Sequence, residues 1–147
     1  MFKSIVVGTD GSETATQAVR QAVGLASVLG ATLELVSAYE PVPGQRLAHE
    51  RLEAPEDLQW AINPREEVDT TLEAAAEIAR QSGVEVNAYA RQGDPADAIL
   101  DVAEEQSADL IVVGNKGMTG AKRFLLGSVP NKVSHHAPCS VLIIRTT

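Results

Sequence analysis

A handful of residues in this chain have the types and spacing to do chemistry. The largest group lies in the stretch Gly114-Asn115-Lys116-Gly117, continuing to Gly127-Ser128, directly after the apolar run Leu110-Ile111-Val112-Val113. Glycine stands at the strand exit, three residues further on, and next to Ser128. Without a Cβ, each lets backbone N–H groups approach a bulky anion. Ser128 is placed to cap the helix that follows, and a helix N-terminus offers unpaired N–H donors at the positive end of its dipole. Together these make a phosphate cradle. A second group, Thr9-Asp10-Gly11, follows the apolar run Ile5-Val6-Val7. Its carboxylate lies at the carboxyl end of a strand and suits an Asx-type turn before a helix.

Charge favours an anion at the first group. Residues 1–109 hold 7 of the 12 Lys+Arg and all 20 Asp+Glu, a net of −13; residues 110–147 hold the other five basic residues and no acid. The acid-free end contains the glycine stretch. The overall charge of −8 argues against non-specific nucleic-acid binding. No apolar run reaches membrane-span length, so no membrane partner is expected. The N-terminus has no signal-peptide pattern, and the single Cys139 excludes an internal disulfide framework. Cytoplasmic localisation is the expectation, and 147 residues suit one domain, 1–147.

The elements that must position these groups alternate. Ile5-Val6-Val7 reads as a strand covered on both faces. Ser12 caps a helix with apolar residues from Ala15 to Leu29, ended by Gly30, and Thr32 to Tyr39 reads as strand two. Glu40 to Asn63, with three prolines and Trp60, reads as a surface excursion, with a lid carrying Trp60 as the alternative. Asn63 and Pro64 start a helix whose stripe is Val68, Leu72, Ala75 and Ala79. Val84 to Ala90 alternates as an edge strand does. Asp94-Pro95 starts another helix, with the stripe Ala96, Ile99, Leu100 and Ala103. Strand four is expected over Asp109 to Val113, the last helix from Ser128 to about His136, and strand five over Val141 to Ile144. His135 and His136 suit a helix C-terminus.

Strict alternation implies an α/β fold: a doubly wound, Rossmann-like, five-stranded parallel sheet with helices on both faces. Ligands bind such sheets where the winding reverses. If strands one and four are neighbours, Asp10 and Gly114 face one crevice and the order is 3-2-1-4-5. An apolar strand five at a sheet edge would need covering, which predicts a homodimer pairing along it.

The spacing Gly114-x2-Gly117-x9-Gly127-Ser128 resembles the nucleotide-binding signature of the universal stress protein family. So do the opening Ile5-Val6-Val7-Gly8-Thr9-Asp10-Gly11-Ser12, the strand ending at Gly114, and the close Ala137-Pro138-Cys139-Ser140-Val141. The resemblance covers the chain apart from Glu40 to Asn63. It implies the 3-2-1-4-5 sheet, a strand-five homodimer, and an adenine nucleotide: ATP, AMP or cyclic AMP, with Mg held through the nucleotide. On that basis Asp10 would meet the ribose or the metal, and Gly8 and Thr9 join it from strand one. Ala38 would line the adenine pocket. Val113 and Gly114 would contact adenine or ribose, and Gly117, Gly127, Ser128 and Val129 would hold phosphates. Gly8 stands where many members carry proline or alanine, implying a less rigid pocket wall.

The function this favours is an adenine-nucleotide-binding stress-response protein, a sensor, regulator or nucleotide buffer rather than a fast enzyme. No Gly-x4-Gly-Lys-Ser/Thr loop is present, so the lysine and the Mg-binding hydroxyl of that motif are missing. A nucleotide-consuming enzyme on a related α/β fold is the alternative, and turnover of ATP would favour it. A nucleotide-free interaction module is the third reading, and the glycine signature argues against it.

Overall fold

The computed structural model describes residues 1–40, 64–115 and 126–146. The expectations for the Pro-rich excursion with Trp60, for the Asn63 cap, and for Gly117 lie outside the described residues. Among the described residues, five strands and four helices follow in order. They are β1 (Ser4–Gly8), α1 (Glu13–Leu29), β2 (Thr32–Tyr39), α2 (Pro64–Gln81), β3 (Val86–Gln92), α3 (Pro95–Glu105), β4 (Leu110–Gly114), α4 (Ser128–His136) and β5 (Ser140–Ile144). The strands form one parallel sheet in the order β3-β2-β1-β4-β5.

The central position of β1 explains its composition. A parallel strand with helices on both faces has no wet side, and Ile5, Val6 and Val7 are all fully buried. Ile5 and Val7 pack with Leu33, Leu35, Leu110 and Val112 under α1 and α2. Val6 packs with Val36, Ile111 and Val113 under α3 and α4. Each such side chain contributes about 1.5–3 kcal/mol by leaving water.

Local signals set both ends of α1 and the start of α3. The Ser12 side chain accepts from the Ala15 N–H at 3.2 Å, and Gly30, at φ 67°, takes the left-handed position that closes α1. Asp94 accepts from the Asp97 N–H at 3.1 Å with Pro95 at the first helical position. Lys132 of α4 reaches Asp97 at 2.8 Å and Asp94 at 3.4 Å, an exposed link between α4 and the start of α3.

Several boundaries differ from the sequence expectation. β3 begins at Val86, not Val84, because the Val84 N–H is spent on the Ala79 carbonyl as the chain leaves α2. It runs on to Gln92 because β2 offers partners as far as Tyr39. β4 begins at Leu110, because Asp109 turns its carboxylate onto the start of β1. It accepts from the Lys3 N–H at 3.0 and 2.9 Å and the Ser4 N–H at 3.1 Å. Ser128 is not the cap of α4: the cap is Gly127, which is extended at φ −63°, ψ 165°. The Gly127 carbonyl accepts the Asn131 N–H at 3.0 Å, so Ser128 is already helical.

Gly8 is where α3 reaches the sheet. A Cβ at residue 8 would lie 2.5 Å from Ile99 Cδ1 and 3.0 Å from Ile99 Cγ1. The space that alanine or proline would fill is therefore occupied by Ile99, and the wall at Gly8 is packed instead of open.

Two predictions follow from these contacts. Gly8→Ala forces Ile99 aside and is expected to cost about 1–3 kcal/mol by overpacking. Ile99→Val removes the nearest atom, so in urea denaturation the double variant should be more stable than the sum of the single changes implies. The second concerns acid. Burial alone raises the Asp109 carboxyl, but the Lys3 and Ser4 N–H groups, its own N–H and the N-terminal amine together hold it below its ordinary value. A carboxyl depressed in the folded state contributes stability that is fully present above its unfolded value of about 3.9 and lost as pH falls through the folded value. The urea midpoint gap between wild type and Asp109→Asn should thus be constant above about pH 5 and narrow below about pH 4.

Candidate functional site

The site begins where two strands part. The β1–β2 ladder continues through Gly8 opposite Val36, and the Thr9 N–H still donates to the Val36 carbonyl at 2.9 Å. The β1–β4 ladder stops at Val7 opposite Val112. Beyond it, Val113 and Gly114 pair only with β5, opposite Ile143 and Ile144. β1 therefore stays with β2 and β4 with β5. The chain winds in opposite directions from this point, and a crevice opens between the carboxyl ends of β1 and β4.

On the β1 side, Thr9-Asp10-Gly11 forms consecutive side-chain turns. Thr9 Oγ1, largely buried, accepts from the Gly11 N–H at 3.1 Å, and Asp10 Oδ1 accepts from the Ser12 N–H at 2.8 Å. Asp10 thus fills the turn role, while its side chain remains exposed. Among the described residues, no group of three or more His, Cys, Asp or Glu could hold a metal ion. A metal at Asp10 would need most of its ligands from elsewhere.

On the β4 side stands the first turn of α4. Gly127 has no side chain to take the turn's N–H groups. Its own N–H donates to the Asn115 carbonyl at 3.0 Å, and Pro130, the third residue of α4, has no N–H. That leaves the Ser128 and Val129 N–H groups without intrahelical partners, and no acid lies in this first turn. Gly127 is buried and Ser128 exposed. The dipole and these donors make an electropositive end. Since Gly127 has negative φ, a side chain there would occupy space without straining the backbone.

Between these two banks the lining is apolar. Ala38 and Val129 are partly buried and pack, with buried Val113, on the α3–α4 face of the core that also holds Ile99. The structure therefore brings Gly8, Thr9, Asp10, Ala38, Val113, Gly114, Gly127, Ser128 and Val129 to the carboxyl-end rim of the sheet or the α4 terminus beside it. Gly117 is outside the described residues.

Two polar residues escaped the sequence reading. Asn115 follows the strand-exit glycine. Its N–H donates to the Ile144 carbonyl at 2.8 Å, and its side-chain Oδ1 accepts from the Thr146 N–H at 2.8 Å and Thr146 Oγ1 at 3.0 Å. An asparagine just past a strand was the only signal. Glu34 sits inside the apolar β2 run and is 5% exposed. Its Oε1 accepts from Asn87 at 3.4 Å, while Oε2 has no partner. Burial first, and then Glu34, push the neighbouring Tyr89 phenol up to about 12. Glu34 pairs with Val6, nearer the other end of the sheet, and takes no part in the crevice.

This geometry has counterparts. The family model of the universal stress proteins matches residues 1–145. A universal stress protein of Thermus aquaticus is 39% identical over 99% of this chain and 100% of its own. A universal stress protein solved in complex with cAMP is 31% identical, with a TM-score of 0.73 over 99% of this chain and 98% of that one. One from Archaeoglobus fulgidus, solved in complex with dAMP, is 28% identical, with a TM-score of 0.69 over 98% of each chain. With the same fold and a family match across nearly its whole length, the chain belongs to the universal stress protein family.

Proposed function

We propose that this chain binds an adenine nucleotide in the β1–β4 crevice and serves as a sensor, regulator or buffer of that nucleotide in a stress response. The observation that carries this is the first turn of α4. Its glycine cap serves none of the turn's donors by side chain, and the Ser128 and Val129 N–H groups remain for an anion. The phosphates sit there, at Gly127, Ser128 and Val129, to which the family spacing adds Gly117, and Gly114 meets the adenine or the ribose. The base lies against Ala38 and Val113, and Asp10 faces the ribose, or Mg bound through the nucleotide. ATP is the ligand this reading favours, since a longer phosphate chain makes fuller use of the donors. Relatives solved with cAMP and dAMP support the adenine part. No helix among the described residues is long and apolar enough to cross a membrane, and the cytoplasm is the proposed compartment.

Two copies pair through β5 in this reading. β5 is an edge of the sheet, and Leu142 and Ile143 on it are 40% and 39% exposed. An apolar open edge calls for a cover.

The phosphate reading is tested by calorimetry with ATP and adenosine. Because Ser128 is not the cap, Ser128→Ala should leave the ligand-free thermal midpoint nearly unchanged. In this reading the exposed Ser128 hydroxyl donates to the phosphate beside the backbone N–H groups; a hydrogen bond to a charged group is worth roughly 1.5–3 kcal/mol, so the same change should weaken ATP roughly 10- to 100-fold and adenosine far less. Equal loss for both ligands would sink the phosphate assignment. Asp10→Asn keeps the acceptor for the Ser12 N–H and removes the charge; weaker nucleotide binding at unchanged stability would assign the charge to the ligand. For the pairing, sedimentation should show a dimer at micromolar protein and a monomer for Ile143→Asp. A wild-type monomer would reject it.

A further inference from the structure

We infer that Asn115 is the positioning residue through which the end of β5 sets the anion site at the start of α4. The inference rests on the nucleotide reading above and adds a determinant that the glycine signature does not contain. Asn115 bonds in three directions. Its N–H goes to Ile144 at 2.8 Å, its carbonyl takes the Gly127 N–H at 3.0 Å, and its Oδ1 takes both the N–H and the hydroxyl of Thr146 at 2.8 and 3.0 Å. One residue therefore joins the exit of β4, the cap of α4 and the segment just after β5.

The consequence concerns Gly127. Its only route to a fixed place through Asn115 is a single backbone bond, and the bond direction depends on how the Asn115 peptide is turned. The Ile144 bond holds the peptide that precedes Asn115 and the pair of bonds from Thr146 holds its side chain, so together they fix the Cα from which the Asn115 carbonyl projects toward Gly127. With all of them in place, the Ser128 and Val129 N–H groups have a defined direction before the ligand arrives. Donors held in place cost no ordering on binding, so they add more to affinity than donors that must be ordered. Asn115 and Thr146 touch no phosphate in this account. They act through the place of Gly127.

Both bonds to Oδ1 use it as an acceptor, which makes the contribution separable. Thr146→Val removes the hydroxyl bond and keeps the N–H bond; Thr146→Ser keeps both. Asn115→Ala removes both side-chain bonds and leaves the backbone bonds. The experiment is calorimetry with ATP and with adenosine on the full chain, with the ligand-free thermal midpoint measured on the same samples. From about 0.5–1.5 kcal/mol per neutral hydrogen bond, Thr146→Val should weaken ATP by about 2- to 13-fold, and Asn115→Ala by more. Thr146→Ser should match wild type, and adenosine affinity should change little in all three. If Asn115→Ala fails to fold, the Thr146 pair carries the test. A residue that only stabilises the fold would lower the thermal midpoint and leave ATP affinity per folded molecule unchanged, and that result overturns the inference. So does an equal loss of ATP and adenosine. A wild type that binds no ATP overturns the nucleotide reading itself, and this inference with it, whereas wild-type binding with unaffected variants overturns this inference alone.

Discussion

The structure depends on where the β1–β4 ladder stops. β1 is buried on both faces and shares its N–H and C=O groups between two neighbours. Up to Val7 it serves both β2 and β4. One residue later it serves only β2, and β4 turns to β5. Everything on the functional rim follows from that divergence. It opens the crevice and places the Asp10 turn on one bank. The α4 terminus stands on the other. The opposite end of the same strand is held shut: Asp109 accepts three bonds from Lys3 and Ser4, and its own N–H returns to the Ser4 carbonyl at 3.1 Å. A ladder clamped at one end and parted at the other makes a rigid floor beneath an open mouth.

Electrostatics reinforce the geometry. All 20 acids precede residue 110, and the stretch that carries the α4 terminus has none. Within that stretch Lys132 is drawn back to Asp97 and Asp94 on α3, so it neutralises them instead of adding to the field at the crevice. The backbone N–H groups at the start of α4 contribute a positive potential that does not titrate. Backbone donors also bind any phosphate alike. The wall of Ala38, Val113 and Val129 beside them is apolar and backed by Ile99, which is pressed against Gly8.

Much of this was legible in advance, for reasons that can be named. Strict strand–helix alternation dictates a parallel sheet, and the run Ile5-Val6-Val7 reads as a strand covered on both faces, which it is. Ser12, Gly30 and Asp94-Pro95 are local signals, and they ended or began helices as read, since a cap depends on a few adjacent residues. Ser128 failed as a cap for the same reason in reverse. Serine beside glycine leaves two candidates for one position. The choice went to Gly127, whose N–H bonds to Asn115, a residue twelve positions earlier. The start of β3 was misread because the exit of α2 claimed the Val84 N–H.

By itself the sequence determined the fold class, the order of elements, the glycine-lined strand exit and the polarity of the two halves, because each rests on periodicity, composition or contacts between near neighbours. Tertiary structure alone decided the contacts that tie the rim together. The Asn115–Thr146 and Asn115–Gly127 bonds join segments 31 and 12 residues apart. Ile99 fills the place of a missing Cβ across the gap between helix and sheet. The closing of Asp109 on Lys3 spans 106 residues. Such contacts leave no periodic trace in the chain, since they depend on the distance and direction between elements only after the sheet has been assembled.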